Sequence, residues 1–335
     1  MKHFVIVGVL VVVVAVLVNA GLNAIGLMPV QASAQAVPID NLFNLHVTAI
    51  SFLFALIVVF LVYSVIVFRR KPGDLSDGAH IEGHSTLELL WTVAPLITVI
   101  AFSALGAQAL AETRRIDPQA LEVRVVGFQW SWRFEYPEYG ITSDTLGLPV
   151  NRQALLKLTS EDVLHSFWVP EFRVKQDALP GAALVKELRI TPTLLGDYKV
   201  RCAELCGRQH AYMESAVLVL EDAAFDEWVA AQAVNSTDPV VRGAKWAKDY
   251  GCVKCHSTDG SALVGPSWQG ALGRQESLSD GSTVVVDEAY LLESIVDPRA
   301  KIVRGYPDDQ MPDDLAQKLT PDQIQDLVAY IISLK

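Results

Sequence analysis

The stretch Cys202-Ala-Glu-Leu-Cys206-Gly-Arg-Gln-His210-Ala-Tyr-Met213 decides most of what this chain can be. It gathers two thiols, an imidazole and a thioether in one short segment. Upstream, Leu164-His165-Ser166-Phe167-Trp168 offers a second imidazole. Sulfur and imidazole donors together select copper over hard cations. Two thiolates four residues apart on a loop can bridge a pair of copper ions. His165 and His210 would each cap one ion, with Met213 and the backbone carbonyl of Glu204 as weak axial ligands. Bridging thiolates let one unpaired electron spread over both metals, which lowers the reorganisation on transfer. Protein fills every ligand position, so the segment suits passage of electrons rather than binding of a substrate. The plain alternative is a disulfide between Cys202 and Cys206, with His210 an ordinary surface residue.

The chain has four Cys, and the other two lie in Cys252-Val-Lys-Cys255-His256. Close pairs followed by His are not the spacing of a disulfide framework; this one is the c-type haem attachment pattern. The two thiols add to the porphyrin vinyl groups, and the His on the next turn reaches the iron. A redox dithiol or half of a zinc site is the alternative. Met311, in Gln310-Met311-Pro312-Asp313, is the sole Met after His256 and the candidate sixth ligand; otherwise it is a core or surface Met. Gly265-Pro266 would place a carbonyl to orient His256.

Around these motifs, composition sets the frame. The 335 residues are 51% hydrophobic and 19% charged, too apolar for an ordinary soluble protein and too polar for one wholly in a membrane. A few spanning helices on a soluble majority fit that balance. The net charge of −11 argues against nucleic acid and suits basic partners. Phe4 to Val18 is free of charge, and Ala32-Ser33-Ala34 fits a signal-peptidase site. Residues 1–36 are therefore a signal peptide or an additional transmembrane helix, and either exports the chain beyond it. Residues 37–111 hold two apolar spans, about 42–68 and 89–111, joined through Arg69-Arg70-Lys71. That basic loop is cytoplasmic by the positive-inside rule, so the spans form a hairpin. Residues 112–234 carry short β runs at Leu121–Phe128, Ala154–Leu158, Ala183–Ile190, Tyr198–Arg201 and Ala216–Leu220, the texture of an all-β sandwich or barrel closed by a helix over Ala223–Ala233. After the linker Asn235-Ser236-Thr237-Asp238-Pro239, residues 235–335 read as all-α, with helices at Val240–Tyr250, at Glu288–Val296 and after Thr320-Pro321. His3, His46, His80 and His84 have no partner pattern and read as solvated or interfacial.

Three segments together, Gly127-Phe128-Gln129-Trp130-Ser131-Trp132-Arg133-Phe134-Glu135-Tyr136-Pro137, His165-Ser166-Phe167-Trp168-Val169-Pro170 and Cys202 to Met213, make the sequence closely similar to subunit II of the haem–copper cytochrome c oxidases. The tail resembles the cytochrome c fused to that subunit in one branch of the family. The resemblance implies a multidomain membrane protein: a transmembrane α-helical hairpin, an all-β cupredoxin-like Greek-key barrel and an all-α c-type cytochrome domain. It implies a dinuclear mixed-valence copper A centre on the ligands above. It also carries three roles by position: Trp130 as the residue through which electrons enter, Glu204 as a carboxylate contact to a magnesium ion shared with subunit I, and Glu88 as the acid at the mouth of a proton channel. Glu88 has an ordinary alternative as a helix N-terminal acid, and Trp130 as an aromatic anchor at the membrane interface. Phe128 departs from the His of many members.

Haem attachment and copper loading occur outside the cytoplasm in bacteria, which implies the inner membrane with both redox domains on the periplasmic face. Electrons would pass from a soluble or membrane-bound donor to the haem, to copper, and on to haem in subunit I, where oxygen is reduced to water with proton translocation. This chain would deliver electrons and not reduce oxygen. Implied partners are subunit I, subunit III, the donor and membrane lipid. From Asp238 onward there are 10 basic and 15 acidic residues, a balance that favours a basic donor. Two rival functions stay open at this level: a copper-delivery protein, and a subunit of a nitric-oxide-reducing haem–copper complex. The quinol-oxidase form of the subunit lacks the Cys and His ligands retained here.

Overall fold

The computed structural model describes residues 1–335 except 75, 79 and 233–236. The described residues fall into two compact units, 1–117 with 170–173, and 118–169 with 174–335. The expected boundary at 234/235, the end of the helix expected at Ala233 and Asn235-Ser236 of the linker lie outside the described residues.

The first unit contains α1 (Lys2–Ile25), α2 (Ala36–Val67) and α3 (Ser85–Thr113), each long and apolar enough to cross a membrane. With 32 residues, α2 is about 48 Å long and overruns a hydrocarbon layer of about 30 Å. It therefore starts before the span expected at 42–68. Similarly, α3 starts before 89, because the Glu88 carboxylate accepts the His84 amide at 3.1 Å and closes the helix N-terminus ahead of the apolar run. Val7 and Val11 of α1 pack on Ala55 and Val59 of α2. Pro170–Arg173, expected in the β domain, belongs to this unit: Arg173 Nε pairs with Asp40 at 2.7 Å.

The second unit begins with ten strands: β1 (Leu121–Phe128), β2 (Ser131–Tyr136), β3 (Ile141–Ser143), β4 (Leu146–Pro149), β5 (Ala154–Ser160), β6 (His165–Trp168), β7 (Lys175–Ala178), β8 (Lys186–Ile190), β9 (Gly196–Cys202) and β10 (Glu214–Leu220). Among the described residues they form two five-stranded sheets, ordered β3-β2-β1-β5-β8 and β4-β10-β9-β6-β7. The pairs β1–β5 and β4–β10 are parallel, so consecutive strands cross between sheets as a Greek-key sandwich requires. Trp132, Phe134, Tyr136, Phe167, Leu156 and Leu158 are fully buried in its core. The run expected as one strand over 183–190 divides: Ala182–Leu184 is a 3-10 turn and the strand starts at Lys186. Leu184 N donating to Gly181 O at 2.9 Å tightens that turn. In β2, five of six side chains are buried on both faces, so no period-two alternation marks it in the sequence.

After α4 (Asp222–Gln232) come α5 (Pro239–Asp249), α6 (Cys252–Cys255), β11 (Gln275–Ser277), β12 (Thr283–Val285), α7 (Glu288–Val296), α8 (Leu315–Lys318) and α9 (Pro321–Ser333). The short β11–β12 ribbon and the single-turn helices α6 and α8 are additions to the expected elements of this domain. At the start of α9, Thr320 Oγ1 accepts from Gln323 N at 3.3 Å and Gln323 Oε1 accepts from Thr320 N at 2.8 Å, the capping box that fixes this terminus. Trp268, Tyr290, Leu291, Ile324, Leu327 and Val328 form the core.

Candidate functional site

The register of β6 on β9 places Phe167 opposite Cys202. His165, two residues earlier, shares the face of Phe167 and so comes beside the end of β9. The segment from Cys202 into β10 then folds back on itself. Cys202 Sγ lies 3.8 Å from His165 Nδ1 and 3.7 Å from Cys206 Sγ. Cys206 Sγ lies 3.5 Å from His210 Nδ1 and 3.7 Å from Met213 Sδ. The Glu204 carbonyl oxygen sits 3.2 Å from Cys202 Sγ. The donor atoms of His165, Cys202 and Cys206 all lie within 4.8 Å of one another. Each sulfur thus faces a different imidazole.

A sulfur–sulfur distance of 3.7 Å is far beyond a disulfide bond of about 2.05 Å, and both thiols are free. It is also a span that a first-row ion about 2.3 Å from each sulfur bridges. The side-chain donors are soft and convergent, with His165, Cys202, Cys206 and Met213 buried and His210 half-buried, so they fit copper. Burial opposes ionisation of Cys202, but the His165 hydrogen bond and backbone hydrogen bonds at Glu204 and Ser166 outweigh it, and its thiol is held well below the ordinary value. Burial and the adjacent Cys202 charge push Cys206 up. Two thiolates side by side repel each other, and bound cations relieve that repulsion. Asp162 Oδ1 accepts from His165 Nε2 at 2.8 Å, which orients the ring and leaves Nδ1 facing the sulfurs. Trp132 meets the same ring edge-on, with centroids 6.1 Å apart.

Cys252, Cys255, His256 and Met311 line one cleft with about 1380 Å³ of free space, its mouth included. His256 Nδ1 donates to the Pro266 carbonyl at 2.8 Å. Its ring stacks on Trp268, centroids 5.0 Å apart and planes 9° from parallel. A Cβ at Gly265 would come within 2.7 Å of this ring, so glycine leaves the ring its place. Burial lowers the His256 pKa, which keeps the imidazole neutral and Nε2 available as a donor. An apolar cleft with two thiols, a neutral imidazole and a thioether on its walls fits haem.

Trp130 is buried rather than at the surface, and its Nε1 donates to the Cys206 carbonyl at 3.2 Å. Glu204 is exposed. Glu88 lies in the other unit, its carboxylate on the His84 amide. Two contacts went unread in the sequence: Asp162 behind His165, and Gln129 Nε2 donating to the Cys206 carbonyl at 2.7 Å. An acid three residues before a ligand His was the available signal for Asp162; nothing local marks Gln129, because its partner is far along the chain.

Known families match in the same order as these parts. Residues 18–107 match the transmembrane domain of cytochrome c oxidase subunit II, residues 141–220 its periplasmic domain, and residues 240–335 cytochrome c. Cytochrome c oxidase subunit 2 of a Synechocystis species is 34% identical over 262 residues, covering 64% of this chain and 78% of the relative. The Thermostichus vulcanus protein of the same name is 34% identical over 270 residues, covering 64% and 81%. The crystallised periplasmic domain of subunit II of cytochrome oxidase from Bradyrhizobium japonicum is 30% identical, with TM-score 0.33, covering 35% of this chain and 96% of that one. With curated relatives matched across most of their length and all three parts in register, the chain belongs to the cytochrome c oxidase subunit II family and carries a C-terminal cytochrome c domain.

Proposed function

We propose that this chain is the electron-accepting subunit of a membrane-bound haem–copper oxidase. It takes electrons at a haem, passes them to copper and delivers them to haem in subunit I, where oxygen is reduced to water with proton translocation. The observation that carries this reading is the buried cluster in which two sulfurs 3.7 Å apart each face a separate imidazole nitrogen.

Copper and haem, when bound, supply one-electron redox chemistry; the chain's residues hold them, orient them and keep water away. His165, Cys202, Cys206, His210, Met213 and the Glu204 carbonyl hold a dinuclear copper A centre. Cys252 and Cys255 would attach the haem covalently, and His256 and Met311 would hold its iron. Asp162 fixes the His165 ring, and the Pro266 carbonyl fixes that of His256. Full burial of His165 and Met213 excludes water from one side of the copper cluster, so little solvent reorganises when its charge changes. Trp130 is the point where electrons enter the copper domain. The exposed Glu204 carboxylate is the contact for magnesium shared with subunit I, and Glu88 lies at the mouth of a proton channel. Residues 112–234 and 235–335 are the copper and haem domains, both on the periplasmic face of a bacterial inner membrane. The donor, subunit III and lipid complete the set of partners.

Metal and haem analysis of the full chain in detergent tests the reading. Two coppers and one covalently bound haem per chain are expected, with the near-infrared band of a mixed-valence pair. A single copper without that band favours copper delivery, and thiols at 252 and 255 that stay free remove the haem assignment.

A further inference from the structure

The copper and haem parts of the second unit meet along one seam. On the copper side, Phe128 and Gln129, at the end of β1, form part of the wall of the cleft that holds Cys252, Cys255 and His256. Gly251, immediately before the first haem cysteine, has φ +71°, and a Cβ there would come within 2.6 Å of the Phe128 ring. From this wall the connection inward is short: the Gln129 side chain donates to the Cys206 carbonyl, and Cys206 carries a copper-cluster sulfur. One hydrogen bond and a few covalent bonds separate the haem cleft from that sulfur.

Charges clamp the seam. Lys318 Nζ, at the end of α8, lies 2.7 Å from Glu161 Oε2 on the copper side. The other Glu161 oxygen bonds to Arg133, whose guanidinium lies over the Tyr250 ring at 5.2 Å. Side chains of Lys318 and Glu161 are 22% and 19% exposed, so this pair is shielded more than an ordinary surface pair. Glu161 adjoins Asp162, which holds the His165 ring, and Lys318 comes soon after the Met311 segment in the chain. Phe128, which faces Gly251 across the seam, is buried, and so is Trp130 beside the copper loop.

We propose that Glu161 and Lys318 form a latch that seats the haem domain against Phe128 and Gln129, so that the copper domain receives electrons from its own chain's haem and its Phe128–Trp130 face is closed to an outside donor. The inference rests on the haem-to-copper direction proposed above. The step served is a one-electron exchange. Ferrous haem iron, reduced by the external donor, becomes ferric, and the copper pair gains the electron. No bond is made or broken and no proton is needed. Tethering alone keeps the two domains at high local concentration; the latch selects one orientation among those the tether permits. Lys318 and Glu161 are positioning residues.

The test uses the full chain in detergent with both centres loaded. A photoreductant reduces the haem, and haem reoxidation and bleaching of the copper band are followed together. Lys318→Gln is expected to slow the exchange roughly tenfold, the effect of losing about 1.4 kcal/mol of docking. Spectra and reduction potentials of both centres stay unchanged, and Lys318→Arg restores the rate. Added salt slows the unaltered chain toward the variant's rate and leaves Lys318→Gln nearly unaffected. An unaltered rate in Lys318→Gln at every ionic strength overturns the latch. So does a slowing accompanied by a shifted haem potential that Lys318→Arg leaves in place, since that makes Lys318 a structural residue. If haem reduction in the unaltered chain never leads to copper reduction, the functional reading falls and the latch with it.

Discussion

Replacing Asp162 by Asn isolates what the residue behind His165 contributes to copper binding. The carboxylate accepts from His165 Nε2 at 2.8 Å and from the amides of Gln129 and Val163, each at 2.6 Å. Asn keeps an acceptor oxygen and similar volume but removes the charge. A hydrogen bond to a charged group contributes about 1.5–3 kcal/mol against about 1 for a neutral one. The expected loss is therefore about 0.5–2 kcal/mol. That is roughly 2- to 30-fold in copper affinity, its upper part reaching the roughly 10- to 100-fold typical of residues that support a ligating His. The assay is competition for copper between the apo chain and a chelator of known affinity, with haem content as an internal control. Weaker copper binding with haem content intact is expected. Equal affinity and an unaltered copper spectrum in Asp162→Asn would refute the reasoning, because the ring would then be held by packing on Trp132 alone.

Gly265→Ala should displace His256 from the Trp268 stack and the Pro266 carbonyl, since the new Cβ would lie 2.7 Å from the ring. The optical spectrum of the haem is expected to show altered axial ligation, and an unchanged spectrum would count against the placement of His256. At the α5–α9 crossing, Gly243→Ala puts a Cβ 2.0 Å from the Asp326 carbonyl oxygen. Overpacking of backbone against backbone should cost about 3 kcal/mol or more, read as an earlier thermal melt of the haem domain. Asp249 is buried, and burial outweighs its ion pair with Lys245, raising its pKa from 3.8 to about 6. The folded state then holds the proton more tightly than the unfolded chain. This contribution is complete below pH 4 and disappears as pH rises through 6, on the order of 3 kcal/mol in all. Denaturant titrations between those pH values should show the decline, and Asp249→Asn should flatten it. Electron delivery to the haem from a basic donor should slow as salt rises, given 10 basic against 15 acidic residues from Asp238 onward; rates indifferent to ionic strength would count against charge steering.

Local chemistry was legible wherever it lies within a few residues. The Cys202–Met213 segment presents most of a metal site in one loop, and the haem pattern is shorter still. Helix α7 begins and ends at the residues its apolar pattern marks, Glu288 and Val296, and α9 starts at its capping box. Strands that obey no alternation were harder. In β2 the aromatic residues are enclosed on both sides, and β6 and β7 have only four residues each, too few to establish a period. Pro170–Arg173 looks like part of the β domain by position, yet Arg173 pairs with Asp40 at 2.7 Å in the first unit, a contact across far too much sequence to foresee.

By itself, the sequence determined the donors and their type: sulfur and imidazole at spacings set by the dimensions of a metal pair and a porphyrin, and apolar lengths matched to a bilayer. The tertiary structure decided which groups support those donors. The β6–β9 register brings His165 to Cys202, Asp162 turns the ring, and on the copper side of the seam Gln129 binds the copper loop while Glu161 binds Lys318. Ligand identity is written in neighbouring residues because a cofactor is small. The supporting contacts join residues far apart in the chain, and only the packing of sheets and helices determines which of them meet.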